Sequence, residues 1–347
     1  MAETNTILEF APQAVRKTVE PAYHDEYASL FAADALDVYD SLPSPIAIVS
    51  DGAYGISGFP GDPPTVSGLR AWYEPHVKAW SRLSTPQTAL WFWNTEVGWA
   101  TVHPLLVENG WEYVECNIWN KGIAHVAGNS NTKTLRRFPV VSEVCVHYVK
   151  PARFLVNGRS VAMKEWLRWE WRRAGLPLSA TNEACDVKNA ATRKYFTQDH
   201  VWYFPPAEAF EKLVAYANRN GRAAGRPYFS TDGQRPLTGE EWSRYRSKFK
   251  LRPGVTNVWD EPANRGLERI KANGEVIHYN QKPMALVTRI LDASTDEGDV
   301  VWEPFGGLCT AAAACNELKR RCYSIEILPE YFEMAVSRLR GSNLRLL

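Results

Sequence analysis

The sequence predicts an α/β fold, a three-layer sandwich on a mostly parallel, twisted sheet, with a smaller and mainly helical insertion. Two observations lead to this prediction. Residues 1–150 and 256–347 alternate short apolar runs of strand character with stretches of helical spacing. Residues 151–255 between them are rich in Arg, Trp and helix-forming residues and have few β-branched runs. We therefore expect one large α/β domain that is interrupted by a smaller one.

Both α/β segments contain distinct candidate strands and helices. In the first segment, the patterns predict strands at 45–49, 88–93, 113–119 and 143–148, and helices at 69–83 and 97–108. In the last segment, they predict helices at 284–291, 310–318 and 330–339, and strands at 299–303 and 322–327. This alternation favours parallel strands, because a parallel pair needs a crossover connection that is usually a helix.

The insertion is predicted to bind DNA. A helix at 163–174 is followed by two short helices at 179–184 and 189–196 around a break at 185–188. This spacing indicates a helix-turn-helix within 163–196, with a plain helical hairpin as the alternative. Residues 151–250 hold 18 Lys and Arg against 10 Asp and Glu, a net charge of +8 in a chain of net charge +1. Such a basic insertion is typical of nucleic-acid binding. The candidate DNA contacts there are Asn189, Thr192, Arg193 and Lys194.

The composition excludes several protein classes. The chain of 347 residues is 45% hydrophobic, as in ordinary globular proteins, and has no run of eighteen apolar residues that would predict a membrane span. Its six cysteines form no CxxC pair, which argues against a structural zinc site and a disulfide framework. The N-terminus shows no secretory signal pattern. We expect a protein in a reducing, cytoplasmic setting and no metal site.

The clearest motif is the glycine turn at 303–310, Glu-Pro-Phe-Gly-Gly-Leu-Cys-Thr. It places an acid at a strand end, then two glycines, then the start of a helix. Glycine lets the backbone approach a ligand closely, and open α/β sheets bind ligands at the carboxyl ends of their strands. Glu326 ends the next strand, where an acid can accept hydrogen bonds from both hydroxyls of a ribose. The segment lacks the GxGxxG pattern of a nicotinamide site.

Residues upstream of this turn carry a family resemblance. The segment 278–283, HYNQKP, resembles the HPTQKP segment of the amino-methyltransferases of DNA, and 303–310 resembles their DPFAGSGT segment. The order of segments, with the catalytic one first and the cofactor one last, is that of the β class, of restriction-modification type. The resemblance covers about two-thirds of the chain and implies a Rossmann-like methyltransferase fold. Leu308 and Cys309 depart from it, since the family has a small residue and a second glycine there.

The resemblance implies S-adenosyl-L-methionine as cofactor. Asn280 and Lys282 would then lie near its methionine moiety, Phe305 near the sulfonium and Glu326 at the ribose, with Thr310 capping the helix. Residues 31–38 and 41–43 resemble the approach segment GDALEVLKSLP, whose acid lies near the adenine. The implied cofactor-binding residues are Asp34, Ala35, Asn280, Lys282, Pro283, Glu303, Pro304, Phe305, Gly306, Gly307, Thr310 and Glu326.

Two segments could correspond to the family's catalytic segment, an acidic, Asn or Ser residue followed by two prolines and an aromatic. The segment 62–65, Asp-Pro-Pro-Thr, has the prolines but no ring, whereas 51–54, Asp-Gly-Ala-Tyr, has the acid and the ring after an apolar strand. A base's amino nitrogen needs acceptors for its two hydrogens, and an aromatic face must hold the flipped base. Asp51, the carbonyl of Gly52 and Tyr54 can supply these, so we predict that they are catalytic.

The resemblance predicts a site-specific enzyme that methylates double-stranded DNA, with adenine N6 favoured by the leading Asp51 and cytosine N4 as the alternative. A DNA-binding regulator with an inactive methyltransferase fold is a more distant alternative, and methylation of RNA or protein also stays open. Lys133 and Arg136, in and after a polar loop at 125–134 that could close over the base, are further candidate DNA contacts. A cognate restriction endonuclease and a homodimer stay open as partners, and no membrane is implied. The resemblance also implies a protein of prokaryotic or phage type that is associated with the nucleoid through DNA.

Overall fold

The computed structural model describes residues 19–57, 61–126, 133–263, 271–272, 275–276 and 281–343. These residues divide into two compact units. The smaller unit is Pro151–Arg246, and the larger comprises the described residues up to Lys150 and from Ser247 onward. The smaller unit thus ends nine residues before 255, where the sequence analysis ended the insertion.

The described chain contains thirteen strands, several of them very short. They are β1 (Tyr23–His24), β2 (Ala28–Ala32), β3 (Ala47–Ser50), β4 (Ala89–Asn94), β5 (Glu112–Asn120), β6 (Ser142–Val149), β7 (Arg153–Val156), β8 (Arg159–Ala162), β9 (Val258–Asp260), β10 (Lys271–Ala272), β11 (Glu275–Val276), β12 (Val300–Glu303) and β13 (Arg321–Glu326).

The described α-helices number ten. They are α1 (Ala35–Val38), α2 (Leu69–Leu83), α3 (Glu96–Glu108), α4 (Met163–Arg173), α5 (Thr181–Ala184), α6 (Ala207–Asn220), α7 (Gly239–Ser243), α8 (Met284–Ser294), α9 (Thr310–Leu318) and α10 (Pro329–Asn343). Short 3-10 helices lie at Tyr39–Ser41, Val66–Gly68, Ile123–His125, Leu178–Ala180 and Thr192–Phe196. None of these described helices combines the length and the apolar character that crossing a membrane requires.

The larger unit is built on a nine-stranded sheet in the order β1-β2-β13-β12-β3-β4-β6-β5-β9. The five strands from β2 to β4 in this order are mutually parallel, while β6 runs antiparallel to both β4 and β5. The carboxyl ends of those five strands therefore meet at one edge of the sheet. Because β6 runs the other way, its first residues lie at the same edge, where Val144 pairs with Asn94.

Successive side chains of the central strands enter two different cores. Ile48 and Leu90 pack with residues of α2 and α3 on one face, whereas Ala47 and Trp91 pack with residues of α8, α9 and α10 on the other. This alternation is expected for a strand, whose side chains point to opposite faces in turn. Helices cover both faces because strands of this kind are apolar on both sides. The predicted α/β sandwich with a mostly parallel sheet is confirmed.

The smaller unit has a core of its own. Buried residues from β7, β8 and the helices α4 to α7, among them Trp166, Trp171 and Trp242, form one hydrophobic cluster. The helix predicted at 163–174 is present as α4, but the helix predicted at 189–196 is not an α-helix. That segment has a five-residue 3-10 helix beginning at Thr192, and Asn189 precedes it. The prediction of an α-helix at 189–196, as the second helix of a helix-turn-helix, is therefore wrong.

Candidate active site

Polar residues follow each parallel strand at the carboxyl edge of the sheet. Asp34 comes two residues after β2, Glu326 and Glu303 end β13 and β12, Asp51 follows β3, and Asn94 ends β4. A cavity of about 580 Å³ opens at this edge. It brings together most of the residues that the sequence analysis chose, namely Asp34, Ala35, Asp51, Gly52, Tyr54, Lys282, Glu303, Pro304, Phe305, Gly306, Gly307, Thr310 and Glu326. Pro283 is not part of the cavity lining, and Asn280 lies outside the described residues.

Glu303 anchors the first turn of α9. Its two carboxylate oxygens accept hydrogen bonds from the backbone N–H groups of Ala311 (2.7 Å) and Ala312 (3.1 Å) and from the hydroxyl of Ser324 (2.7 Å). Burial raises the pKa of Glu303 to about 7, and these hydrogen bonds act in the opposite direction. An acid at a helix N-terminus satisfies N–H groups that have no partner within the helix.

The predicted capping role of Thr310 is therefore wrong. Thr310 is the first residue of α9, and its hydroxyl lies 3.2 Å from the guanidinium of Arg338, which also donates to the carbonyl of Leu308 at 2.8 Å. The helix N–H groups are satisfied instead by the buried carboxylate of Glu303, which is placed beneath them by β12.

Glu326 fixes the glycine turn from the neighbouring strand. Its carboxylate accepts hydrogen bonds from the N–H of Gly307 (2.6 Å) and the N–H of Leu328 (2.7 Å). Burial raises the pKa of this carboxyl, while these hydrogen bonds lower it. A carboxylate oxygen can accept more than one hydrogen bond, so Glu326 still has acceptor capacity toward the cavity that it lines.

The turn at 306–309 explains one departure from the family pattern. Cys309 has the left-handed backbone conformation, with φ 52° and ψ 54°, and it is buried with its sulfur 3.1 Å from the hydroxyl of Ser324. Glycine adopts this conformation without strain, whereas a residue with a Cβ such as cysteine is strained in it. Gly306 has a different constraint, since a Cβ on it would lie 2.7 Å from the Ser324 hydroxyl oxygen.

Asp51, Tyr54 and Lys282 form a closed triangle at the other side of the cavity. Asp51 Oδ1 accepts from the Tyr54 hydroxyl at 2.8 Å and lies 2.8 Å from Lys282 Nζ, which is also 2.9 Å from the Tyr54 hydroxyl. Tyr54 is only 7% exposed, and burial raises the pKa of its hydroxyl well above the usual value. The two segments 51–54 and 281–283, which lie far apart in sequence, are thus joined by the buried lysine.

A chain of alternating charges extends from this triangle to β5 and β6. Lys282 Nζ lies 3.4 Å from Glu143 Oε2, and Glu143 Oε1 lies 2.8 Å from Lys121 Nζ. Burial lowers the pKa of Lys282, but the attraction of Asp51 and Glu143 outweighs it and the net shift is upward. Burial likewise raises the pKa of Glu143, and the attraction of Lys282 and Lys121 makes the net shift downward. Both groups therefore stay charged at neutral pH.

Three residues that the sequence analysis did not select hold the segment 51–54 in place. The carbonyl of Ala53 accepts from the amide of the buried Asn94 (2.9 Å) and the hydroxyl of Tyr73 (3.1 Å). Asp62, from the rejected Asp-Pro-Pro segment, accepts from the N–H of Tyr54 at 2.8 Å. The position of Asn94 at the end of β4, next to β3 in the sheet, is the signal that could have found it.

Phe305 explains the glycine at position 52. A Cβ on Gly52 would lie 2.7 Å from the ring atoms Cδ2 and Cε2 of Phe305. That ring is held between other aromatic side chains, with ring centroids 4.9 Å from His76 and 5.1 Å from Trp72. The ring of Phe305 therefore occupies the space that a side chain at position 52 would need in this structure.

The predicted DNA contacts lie on two different units. Lys133 and Arg136 belong to the connection between β5 and β6 in the larger unit, whose residues 127–132 lie outside the described part. In the smaller unit, Asn189, Arg193 and Lys194 lie in or near the 3-10 helix. Thr192 is buried, and its hydroxyl contacts Thr181 and Asn182, so its side chain is not available to DNA. Among the residues that the structure describes, no group of three or more His, Cys, Asp or Glu is arranged to hold a metal.

Comparison with known proteins agrees with this geometry. The chain is 42% identical over 83 residues to the DNA adenine methyltransferase YhdJ of Escherichia coli (strain K12), and 47% identical over 62 residues to the type II methyltransferase M.HpaI of Haemophilus parainfluenzae. These matches cover 24% and 18% of the chain but only 27% and 20% of the relatives.

Two further comparisons cover much more of the chain. The crystal structure of the M1.HpyAVI–SAM complex has the same fold, with a TM-score of 0.50 at 17% identity over 90% of this chain and 98% of that one. A family model described as DNA methylase matches residues 47–337. Because this match covers more than half of the chain, including both the segment 51–54 and the glycine turn at the cavity, the protein belongs to the DNA methylase family of N6 and N4 methyltransferases.

Proposed function

We propose that the protein transfers a methyl group from S-adenosylmethionine, the methyl donor of its family, to the N6 amino group of adenine in double-stranded DNA. The observation that carries this proposal is the cavity itself. Asp51, the acid of the catalytic segment, and the glycine turn of the cofactor segment line the same space although they are about 250 residues apart in sequence. Chemistry between a nucleoside cofactor and a base requires this juxtaposition.

The cavity fits the cofactor in size and chemistry. Its volume of about 580 Å³ lies in the range of small-molecule sites. Gly306 and Gly307 of the turn line the cavity, Glu326 offers carboxylate oxygens to a ribose, and the rings of Phe305 and Trp72 offer apolar contact. When bound, S-adenosylmethionine supplies a methyl group on a positively charged sulfur.

The residues of the segment 51–54 act on the amino group that receives the methyl. Its nitrogen is a poor nucleophile because its lone pair is delocalised into the base. Asp51 Oδ1 is held by Tyr54 and Lys282, so we assign Oδ2 as the acceptor for one amino hydrogen. The carbonyl of Ala53 is already occupied, which favours the carbonyl of Gly52 for the other hydrogen. Fixed acceptors of this kind orient the nitrogen and favour charge development during transfer.

Lys282 and Tyr54 have supporting roles in this proposal. The buried ammonium of Lys282 keeps the Asp51 carboxylate oriented toward the cavity, and Asp62 fixes the backbone N–H of Tyr54. The Tyr54 ring lines the cavity and provides the apolar face against which the flipped base rests. Stacking on a ring contributes about 1–3 kcal/mol per base.

Adenine is favoured over cytosine on two grounds. The catalytic segment begins with Asp51, as in the adenine-modifying members that it resembles, and the relative YhdJ is named a DNA adenine methyltransferase. Cytosine N4 is the second candidate, because the same two acceptors would serve its amino group equally well. We further propose that residues 151–246, with 16 Lys and Arg against 10 Asp and Glu, read the DNA sequence.

The test compares Asp51→Ala with Asp62→Ala, which removes the neighbouring carboxylate instead. We expect D51A to bind S-adenosylmethionine normally and to lose methyl transfer by about 10²-fold or more, whereas D62A should lose much less. Labelled methyl transfer to unmodified genomic DNA gives the rates, and mass spectrometry of the digested nucleosides identifies the methylated base. If the digest contains N4-methylcytosine and no N6-methyladenine, the substrate is cytosine. If D51A is as active as wild type, Asp51 is not the acceptor and the proposed site is wrong.

A further inference from the structure

The connection between β5 and β6, residues 121–141, carries the most exposed large apolar side chain of the described chain. Phe138 is 93% exposed, and Ile123 and Val140 on the same connection are exposed as well. A phenylalanine left in water forgoes the favourable burial of its ring. Scattered apolar residues on a surface are ordinary, but three on one connection beside a ligand cavity indicate contact with a partner.

The ends of this connection are fixed next to the candidate active site. The N–H of Lys121 donates to the carbonyl of Val141 at 2.8 Å, and Asn120 pairs with Ser142. Lys121 and Glu143 belong to the charge chain that reaches Lys282. Phe138 is three residues from Val141, so its Cα lies within about 10 Å of that of Val141. The exposed ring is therefore at the same edge of the sheet as Asp51.

The charge of the connection identifies the kind of partner. From Gly122 to Ser142 the sequence contains three Lys and Arg residues and no Asp or Glu. Lys133, Arg136 and Arg137 precede Phe138, and the Arg136 guanidinium donates to the carbonyls of Lys133 and Leu135 at 3.1 Å. A guanidinium has five N–H donors, so Arg136 can contact an anion at the same time. Basic residues beside an exposed ring match the phosphates and stacked bases of DNA.

We propose that Phe138 enters the DNA duplex as an apolar wedge beside the target base, with Arg136 and Arg137 on the flanking phosphates. The proposed role of Phe138 rests on the proposed function, and it names the residue that opens the duplex so that the target base can leave it. Separating two stacked base pairs costs free energy, and wedges of this kind offset the cost through burial and stacking of the inserted side chain. Once the stack is opened, less free energy is needed to swing the target base into the cavity.

The experiment measures duplex unwinding without requiring turnover. A relaxed closed-circular plasmid is incubated with the full-length protein and S-adenosylhomocysteine, treated with topoisomerase I, and analysed on a gel for its linking number. We expect wild type and Phe138→Trp to lower the linking number and Phe138→Ala to leave it unchanged. All three should bind the plasmid within about threefold of one another, because the phosphate contacts that dominate affinity are retained.

Matched controls come from the opposite edge of the same sheet. Leu251 is 72% exposed and lies beside Lys250, whose N–H donates to the carbonyl of Ala293 at the end of α8, so Leu251→Ala should unwind DNA like wild type. The double variant R136A/R137A should reduce the slope of log affinity against log salt by about 2, as expected for two phosphate contacts. Lys319→Ala, at the end of α9, should not change that slope.

The outcomes separate the two proposals. Unwinding by Phe138→Ala equal to that of wild type, or no unwinding by wild type, would overturn the wedge. The proposed function is tested on the same plasmid with labelled S-adenosylmethionine. If wild type unwinds the plasmid but transfers no label to it, the function fails and the wedge is retained.

Discussion

The ring of Phe305 occupies the space that a side chain at position 52 would need. Gly52→Pro would bring the segment one residue closer to the family pattern that it resembles. We nevertheless expect it to lower activity and to destabilise the protein by about 1–3 kcal/mol, because the new side chain overpacks the ring of Phe305. Urea unfolding and methyl-transfer rates measure the two effects.

The control for this prediction is a double-mutant cycle. Gly52→Ala should cost less in a Phe305→Leu background than in wild type, with a coupling free energy of about 0.5 kcal/mol or more, since the smaller side chain leaves room for a Cβ. Additive effects of the two substitutions would mean that Phe305 does not exclude a side chain at position 52.

Glu303 makes stability depend on pH in a defined direction. Its pKa in the folded protein is raised by burial to about 7, above the ordinary value of 4.5. The folded state therefore holds the Glu303 proton more tightly than the unfolded state does. The protonated carboxyl makes its full contribution to the free energy of unfolding below about pH 4.5, and this contribution is lost as pH rises through about 7. Between pH 5 and pH 8, wild type should lose on the order of 2 kcal/mol of unfolding free energy relative to Glu303→Gln.

Chemical denaturation of both proteins at the two pH values measures this difference. Glu303→Gln is expected to be less stable in absolute terms, because an amide has one acceptor oxygen for the N–H groups of Ala311 and Ala312 where the carboxylate has two. The raised pKa of Glu303 is therefore tested only by how the difference in unfolding free energy between wild type and variant changes from pH 5 to pH 8. If the variant and wild type change in parallel, Glu303 does not titrate in this interval.

At the scale of elements, the turn between β12 and α9 stores backbone strain at Cys309. Cys309→Gly and Cys309→Ala both remove the sulfur, but only glycine adopts the left-handed conformation freely. We expect the glycine variant to be more stable than the alanine variant by about 1 kcal/mol, the usual penalty for a side chain in that conformation. Urea unfolding of the pair gives the difference directly. Greater stability of the alanine variant would mean that the turn is not held left-handed in solution.

Several helices and strands could be predicted from the sequence because the spacing of apolar residues and the residues that begin or end an element indicated the same bounds. Helices α2 and α9 begin and end where their patterns predicted, since each is amphipathic or Ala-rich and lies between turn residues. The hairpin of β7 and β8 was missed although Asn157-Gly158, both with positive φ, is a strong hairpin signal. The helix predicted at 189–196 failed because tertiary packing of Thr192 and Phe196 overrides local spacing.

Part of the candidate site was predictable because some of its residues lie in recognisable sequence motifs. Asp51, Lys282 and Glu326 lie in motifs that are visible in the sequence, and all three line the cavity, while their roles in catalysis and cofactor binding stay predictions. Asn94, Tyr73 and Asp62 act only through contacts with the segment 51–54, and no spacing in the sequence relates them to it. Their selection requires the strand order, which places β4 beside β3 and α2 against both.

At the scale of the whole molecule, the cavity and the insertion belong to different units. The described residues of the two hydrophobic clusters around the sheet come from the larger unit, and those of the third cluster come from 151–246. The larger unit should therefore fold without the insertion. The charge is divided in the same way, since residues 151–246 have a net charge of +6 in a chain of net charge +1.

A chain in which a flexible Gly/Ser linker of about 12 residues replaces 151–246 tests this division. We expect it to bind S-adenosylmethionine within about threefold of the full chain in calorimetry, because every described cavity residue remains. Its methyl transfer to duplex DNA should fall by about 10³-fold or more, the usual margin between specific and non-specific DNA binding. Asp51→Ala in the full chain is the matched control, since it should lose transfer while keeping normal DNA affinity. Loss of cofactor binding in the linker variant would mean that the insertion is needed to form the cavity, and undiminished site-specific transfer would mean that the larger unit reads the sequence itself.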